Sequence, residues 1–133
     1  MQTTQQVTII GIVVLVVLIA GIVAATQWAS PSRPGKLDAF ATCLKDEGAT
    51  FYGAFWCTHC QAQKKLFGTS AKLLPYVECS TPDGNSQKAV CIEKKIESYP
   101  TWEFADGSRQ TGEVSLEALA STTSCILPIE AKP

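Results

Sequence analysis

The chain has 133 residues, a formal charge of -1 and six cysteines, all of them after residue 42. That length leaves room for one domain of about 100 residues beside a long apolar run near the start. The absence of any Lys/Arg cluster argues against nucleic acid as a partner, and the cysteine density suits an oxidising compartment far better than a reducing cytosol.

Residues 1–6 form a short N-terminal tail, and Val7–Ala25 follows as nineteen residues without a charge. As a helix this run is long enough to cross about 30 Å of hydrocarbon. We read it as a membrane anchor, because it exceeds the apolar core of a cleaved signal peptide, no Lys or Arg precedes it and no clean Ala-x-Ala site follows. Trp28 suits the interface just beyond it. Arg33 and Lys36 follow the span, and positive-inside reasoning applied to them places the domain in the cytoplasm. Six cysteines argue the other way and outweigh two charges, so the domain is expected on the extracytoplasmic side.

Residues 26–36, rich in Pro, Ser and Gly, are a linker. The domain itself is expected over 37–127, with a tail at 128–133. Leu37, Phe40, Ala41 and Leu44 recur at helical spacing before Gly48 and predict an amphipathic helix that carries Cys43. Ala49–Trp56 has the length and side chains of a strand. A helix then runs from about Cys57 to Leu74, with Gly68 as a kink and Pro75 as its stop. Tyr76–Cys79 is a short strand, Thr81–Ser86 a turn, and Gln87–Ile96 a helix holding Cys91. Tyr99-Pro100 forces extended backbone into Thr101–Ala105. Asp106-Gly107 marks a hairpin to Arg109–Val114, and Ser115 caps a last helix with Glu117 in its first turn.

The chemistry sits where the aromatic run Phe51–Trp56 meets Cys57-Thr58-His59-Cys60. At a helix start, unpaired N–H groups and the positive dipole end favour a thiolate, and such sites lower a cysteine pKa to about 3.5–7.5. Cys57 is therefore expected to be an exposed nucleophile. Cys60, one helical turn deeper, is placed to attack a mixed disulfide on Cys57 and expel the partner thiol. His59 has two readings: a cation that stabilises the Cys57 thiolate and makes the disulfide more oxidising, or an exposed loop residue of little effect.

Helix, strand, Cys-x-x-Cys helix, strand, helix, Tyr-Pro-Thr strand, hairpin strand and helix, in that order, resemble the thioredoxin fold from about Leu37 to Cys125. The resemblance implies an α/β domain with a central mixed sheet flanked by helices, here preceded by one transmembrane helix. It also implies a cis peptide bond before Pro100, with the Tyr99 backbone pairing with a substrate strand beside Cys57 and with Trp56 flanking that site. More narrowly, Tyr52-Gly53-Ala54-Phe55-Trp56-Cys57-Thr58-His59-Cys60, Gln63–Gly68, Tyr76–Cys79, Cys91 and Tyr99–Trp102 resemble the thioredoxin-like domain fused to bacterial vitamin K epoxide reductase homologues. Those domains pass disulfides from secreted proteins to a quinone-reducing membrane enzyme. The resemblance thus implies thiol-containing secreted or membrane proteins as substrates, a vitamin K epoxide reductase-like membrane partner, and no cofactor or metal in the domain itself. Two departures stand out: Thr58 occupies the place where that family usually has Pro, and Phe51–Trp56 lacks the buried strand carboxylate of cytosolic thioredoxins.

The turn between Cys79 and Cys91 lets these two meet in a second disulfide, which is structural or, as the resemblance suggests, a redox relay. Thioredoxin topology also brings the ends of the first and last helices, with Cys43 and Cys125, to one pole, where a staple is plausible. Two rival readings compete with this one. A zinc site from Cys57, Cys60, Cys79 and Cys91 fits the spacing poorly, since structural zinc uses two close pairs. A non-catalytic module stapled by disulfides would use Tyr52, Phe55, Trp56, Tyr99 and Trp102 as core or as a docking surface.

Overall fold

The computed structural model describes residues 2–28 and 34–129, with side chains for 3–24 and 34–129. The side chain of Trp28, residues 29–33 of the linker including Arg33, and the tail at 130–133 lie outside what is described. The chain divides into two units, Met1–Arg33 and Pro34–Pro133.

In the first unit, helix α1 (Gln2–Trp28) contains a 22-residue apolar stretch, Thr3–Ala24, none of it buried. At about 1.5 Å per residue it is long enough to span a bilayer. From Val7 to Ala24 it carries apolar side chains around its whole circumference, with Thr8 the one hydroxyl.

The second unit is a four-stranded mixed sheet flanked by helices, a thioredoxin-like α/β arrangement. Helix α2 (Asp38–Asp46) buries Phe40, Ala41 and Leu44, and Gly48, at φ +75°, ends the turn that follows it. Strand β1 (Thr50–Gly53) lies inside the sheet, whose order is β2-β1-β3-β4, with β2 at Tyr76–Glu78, β3 at Thr101–Glu103 and β4 at Arg109–Thr111. β1 runs parallel to β2 and antiparallel to β3, and β3 pairs antiparallel with β4. Helix α3 (Thr58–Leu66) makes the crossover that parallel pairing requires.

Alternation along β1 explains why its sequence is apolar on both sides. Phe51 enters the main core with Leu37, Phe40, Leu44, Trp102 and Leu119, while Tyr52 joins a smaller cluster with Cys79, Cys91 and Ile96 on the opposite face. Phe51 sits directly opposite Trp102 in register, and their rings stack at 4.9 Å. Replacing the fully buried Trp102 with alanine should cost about 3–5 kcal/mol in a urea unfolding curve. Trp102→Phe should cost less, because the buried indole Nε1 has no hydrogen-bond partner among the described residues to lose. Equal losses for the two variants would refute that account.

The expected boundaries shift at several places. Gly68 takes φ +52° and breaks the predicted long helix, so α3 stops at Leu66 and a 3-10 turn, Gly68–Leu73, follows. That break lets Ser70 turn fully inward, where its Oγ accepts the Leu37 N–H at 3.1 Å. The buried Gln63 holds α3 to the segment before the last helix by donating to Val114 O and accepting from Val114 N. Helix α4 covers only Ala89–Glu93, since Gln87 bridges to Ser80 instead. Helix α5 (Leu116–Thr123) begins at Ser115, whose Oγ accepts the Ala118 N–H at 3.2 Å. It ends at Ser124 in the left-handed region, and Cys125 comes next.

Candidate active site

β1 stops at Gly53, earlier than the sequence suggests, and the chain turns through Phe55 and Trp56 before α3. The Cys57 N–H closes that turn on Ala54 O at 3.0 Å. The turn directs Phe55 and Trp56 outward, 47% and 54% exposed, whereas Tyr52 and Trp102 are core. The aromatic set read from the sequence therefore divides by position.

Cys57 is the N-cap of α3, and its Sγ accepts the backbone N–H of Cys60 at 3.2 Å. This takes up one of the donors that every helix start leaves unpaired and places the sulfur at the positive end of the helix, where negative charge is favoured. Cys57 is only 7% exposed, so the expectation of an openly exposed nucleophile is corrected: Trp56 and Tyr99 wall it in, and it is reached through a cleft lined by these two with Thr58 and His59. Cys60 is fully buried, and burial, followed by its hydrogen bond with Cys57, pushes its thiol up to about 12. The two free sulfurs thus differ in kind. One faces a cleft at a helix start, and the other is held protonated beneath it.

Tyr99-Pro100 is a cis peptide with Pro100 buried, and Tyr99 O lies 3.7 Å from Cys57 Sγ. The Tyr99 ring meets Trp56 edge-on at 6.1 Å, and its hydroxyl accepts from Gln87 Nε2 at 2.7 Å. Trp56 is held in turn by Nε1 donating to Ser80 Oγ at 2.9 Å. A second cleft, lined by Ser80, Gly84, Asn85, Ser86 and Gln87, shares Trp56 and Tyr99 with the first. Ser80 and Gln87 were not singled out in the sequence, and spacing gives no signal for them, because the 80–87 turn reaches Trp56 only through tertiary folding.

His59 is largely exposed, and its Nδ1 lies 2.7 Å from Glu113 Oε1. Its partner is that carboxylate, contributed from just after β4, and not the Cys57 sulfur. Glu113 was likewise missed, since 54 positions separate the two residues.

The other four cysteines are paired. Cys79 is bonded to Cys91 with Cα atoms 5.6 Å apart, and Cys43 to Cys125 with Cα atoms 5.9 Å apart. With Cys79 and Cys91 joined to each other, the four-cysteine zinc site weighed from the sequence does not form. Among the described residues no cluster of three His, Cys, Asp or Glu side chains is arranged to hold a metal.

No family model matches the chain. It is similar to Thiol-disulfide oxidoreductase LTO1 of Arabidopsis thaliana, with 35% identity over 147 positions. The alignment covers 92% of this chain but only 39% of that relative's length.

Proposed function

We propose that, like the relative it resembles over nearly its whole length, this chain is a thiol-disulfide oxidoreductase working through Cys57 and Cys60. The observation that carries the reading is the asymmetry of two free sulfurs in a chain whose other four cysteines are disulfide-bonded: Cys57 caps α3 and opens to a cleft, and Cys60 is buried as a thiol.

The cleft fits a substrate that is itself a polypeptide. Tyr99 presents its backbone beside Cys57 Sγ and Trp56 forms the facing wall, so an extended segment laid along Tyr99 brings its cysteine to the sulfur. In the reducing direction, the Cys57 thiolate attacks one sulfur of a substrate disulfide and the other sulfur leaves as a thiolate. Cys60 then loses its proton, attacks Cys57 Sγ and releases the second substrate thiol, leaving the 57–60 disulfide. Oxidation of a substrate runs these steps in reverse. Neither direction requires a cofactor in the domain.

The finer reading is a membrane-anchored enzyme whose domain faces outward and exchanges disulfides with thiol-containing secreted or membrane proteins. Supporting it are the span-length α1 and the disulfides Cys43–Cys125 and Cys79–Cys91, which suit an oxidising compartment. A vitamin K epoxide reductase-like, quinone-linked membrane protein is the proposed electron partner, a reading supported by the resemblance of the Tyr52–Cys60 and Tyr99–Trp102 segments alone.

The test of the core reading is catalysis of insulin reduction by dithiothreitol and of thiol oxidation in a reduced test protein. Rates well above buffer are expected, and buffer rates in both assays would overturn it. Equilibration with glutathione then gives direction: a potential near about -120 mV marks an oxidant and one near about -270 mV a reductant.

A further inference from the structure

In the exchange cycle Cys60 must shed a proton from a fully buried site, yet β1 beneath it carries no carboxylate. The neighbouring strand does. Gly53 on β1 stands in register with Glu78 on β2. A Cβ at Gly53 would fall 2.9 Å from Cys60 Sγ, 2.9 Å from Tyr76 Cε2 and 3.4 Å from Tyr76 Oη. The absence of a side chain at Gly53 therefore lets the Cys60 thiol from α3 and the Tyr76 phenol from β2 close in on the same point of β1. From there the Tyr76 hydroxyl donates to Glu78 Oε2 at 2.7 Å, and Glu78 Oε1 accepts the Ser80 N–H at 2.8 Å. Lys64, one turn beyond Cys60 on α3, sets its ammonium 3.4 Å over the centre of the Tyr76 ring.

We propose that Glu78, acting through the Tyr76 hydroxyl, takes up the proton that Cys60 loses when it resolves the mixed disulfide. The assignment rests on the exchange reading above and adds a proton path to it. As the Cys60 Sγ–H bond breaks, the proton passes to Tyr76 Oη, and the phenol's own proton passes to Glu78. Cys60 Sγ bonds to Cys57 Sγ, the bond from Cys57 to the substrate sulfur breaks, and its electron pair leaves with the substrate as thiolate. In the reverse direction the departing Cys60 thiolate recovers the proton from Glu78. Burial, followed by the Glu78 hydrogen bond, raises the Tyr76 phenol, which keeps it a neutral relay rather than a phenolate. The charged and titratable groups bearing on Tyr76 are Cys57 at the cap of α3, Cys60 and Lys64 on that helix, and Glu78 from its own strand. Lys64 favours the Cys60 thiolate as it forms.

Ellman's disulfide, mixed with the reduced Cys57/Cys60 form of the full chain in detergent, separates the two steps. Attack by Cys57 releases one thionitrobenzoate, and attack by Cys60 on the resulting mixed disulfide releases the second. Glu78→Gln, which retains an acceptor for Tyr76, and Tyr76→Phe should each slow the second release tenfold or more at neutral pH while leaving the first within twofold. In alkaline buffer, where hydroxide takes the proton, both variants should converge on the wild-type rate, a pH dependence that a packing defect would not produce. A second release at the wild-type rate in both variants, or a deficit of equal size at every pH, overturns the proton path while leaving the exchange reading intact. A wild-type chain that gives no second release overturns the exchange reading, and the path with it.

Discussion

Cys57→Ala should reduce catalysed exchange to the buffer rate, a loss of roughly a thousandfold or more, as expected when the residue that forms the covalent intermediate is removed. Cys60 cannot substitute. It is fully buried and its thiol is pushed up to about 12, so at neutral pH it presents almost no thiolate to an incoming disulfide. Cys60→Ala should behave differently. Cys57 still attacks, but nothing in the chain can then expel the partner, and the mixed disulfide accumulates as a species visible by mass spectrometry or a non-reducing gel. Insulin reduction that proceeds at the wild-type rate in Cys57→Ala would end the exchange reading, and so would a Cys60→Ala chain that traps no partner.

The difference between the two sulfurs was legible in advance because it follows from local order. An apolar β-type run stops, good helix formers begin, and a Cys-x-x-Cys pair placed at that junction puts one sulfur on the helix cap and the other a turn deeper. Ser115 as the last helix cap was legible for the same reason, whereas the mixed, helix-flanked sheet was expected from the resemblance of the element order to the thioredoxin fold. What the sequence could not give depends on residues far apart in the chain. His59 had two readings, a cation beside the Cys57 thiolate or an exposed residue of little effect, and neither included Glu113, to which its exposed ring is drawn. Trp56 and Tyr99 cover Cys57 only after the segment before β3 folds back beside α3. Tyr76 and Glu78 looked like an ordinary short strand, and their approach to Cys60 depends on the parallel register that sets Glu78 opposite Gly53. The Gly68 break was half visible. Glycine announced a kink, but its left-handed φ and the inward turn of Ser70 go with a contact 33 positions away, the Leu37 N–H that the Ser70 Oγ accepts.

Removing the Cys43–Cys125 bond by replacing both residues with alanine should destabilise the domain more than removing Cys79–Cys91 in the same way. The bonds join residues 82 and 12 positions apart. In the chain-entropy treatment, losses of roughly 4.5 and 3 kcal/mol follow. Against a total stability of about 5–15 kcal/mol, the larger loss removes between about a third and nearly all of it and should lower the melting temperature by roughly 20–35 °C. Packing acts in the same direction, because Cys125 is buried in the main core with Leu119, and the bond fixes the end of α5 to α2. Cys79–Cys91 belongs to the smaller cluster around Tyr52 and Ile96, beside the strand end that carries Ser80 to Trp56. Its loss should therefore appear less in stability than in the hold on the cleft wall. Measured well below the melting temperature, the release of the first thionitrobenzoate should be unchanged in the Cys43/Cys125 double variant. Urea unfolding curves that rank the two bonds equally, or place Cys79–Cys91 first, would show that loop length does not govern these staples and would reassign the larger structural role to the pair nearer the reactive sulfurs.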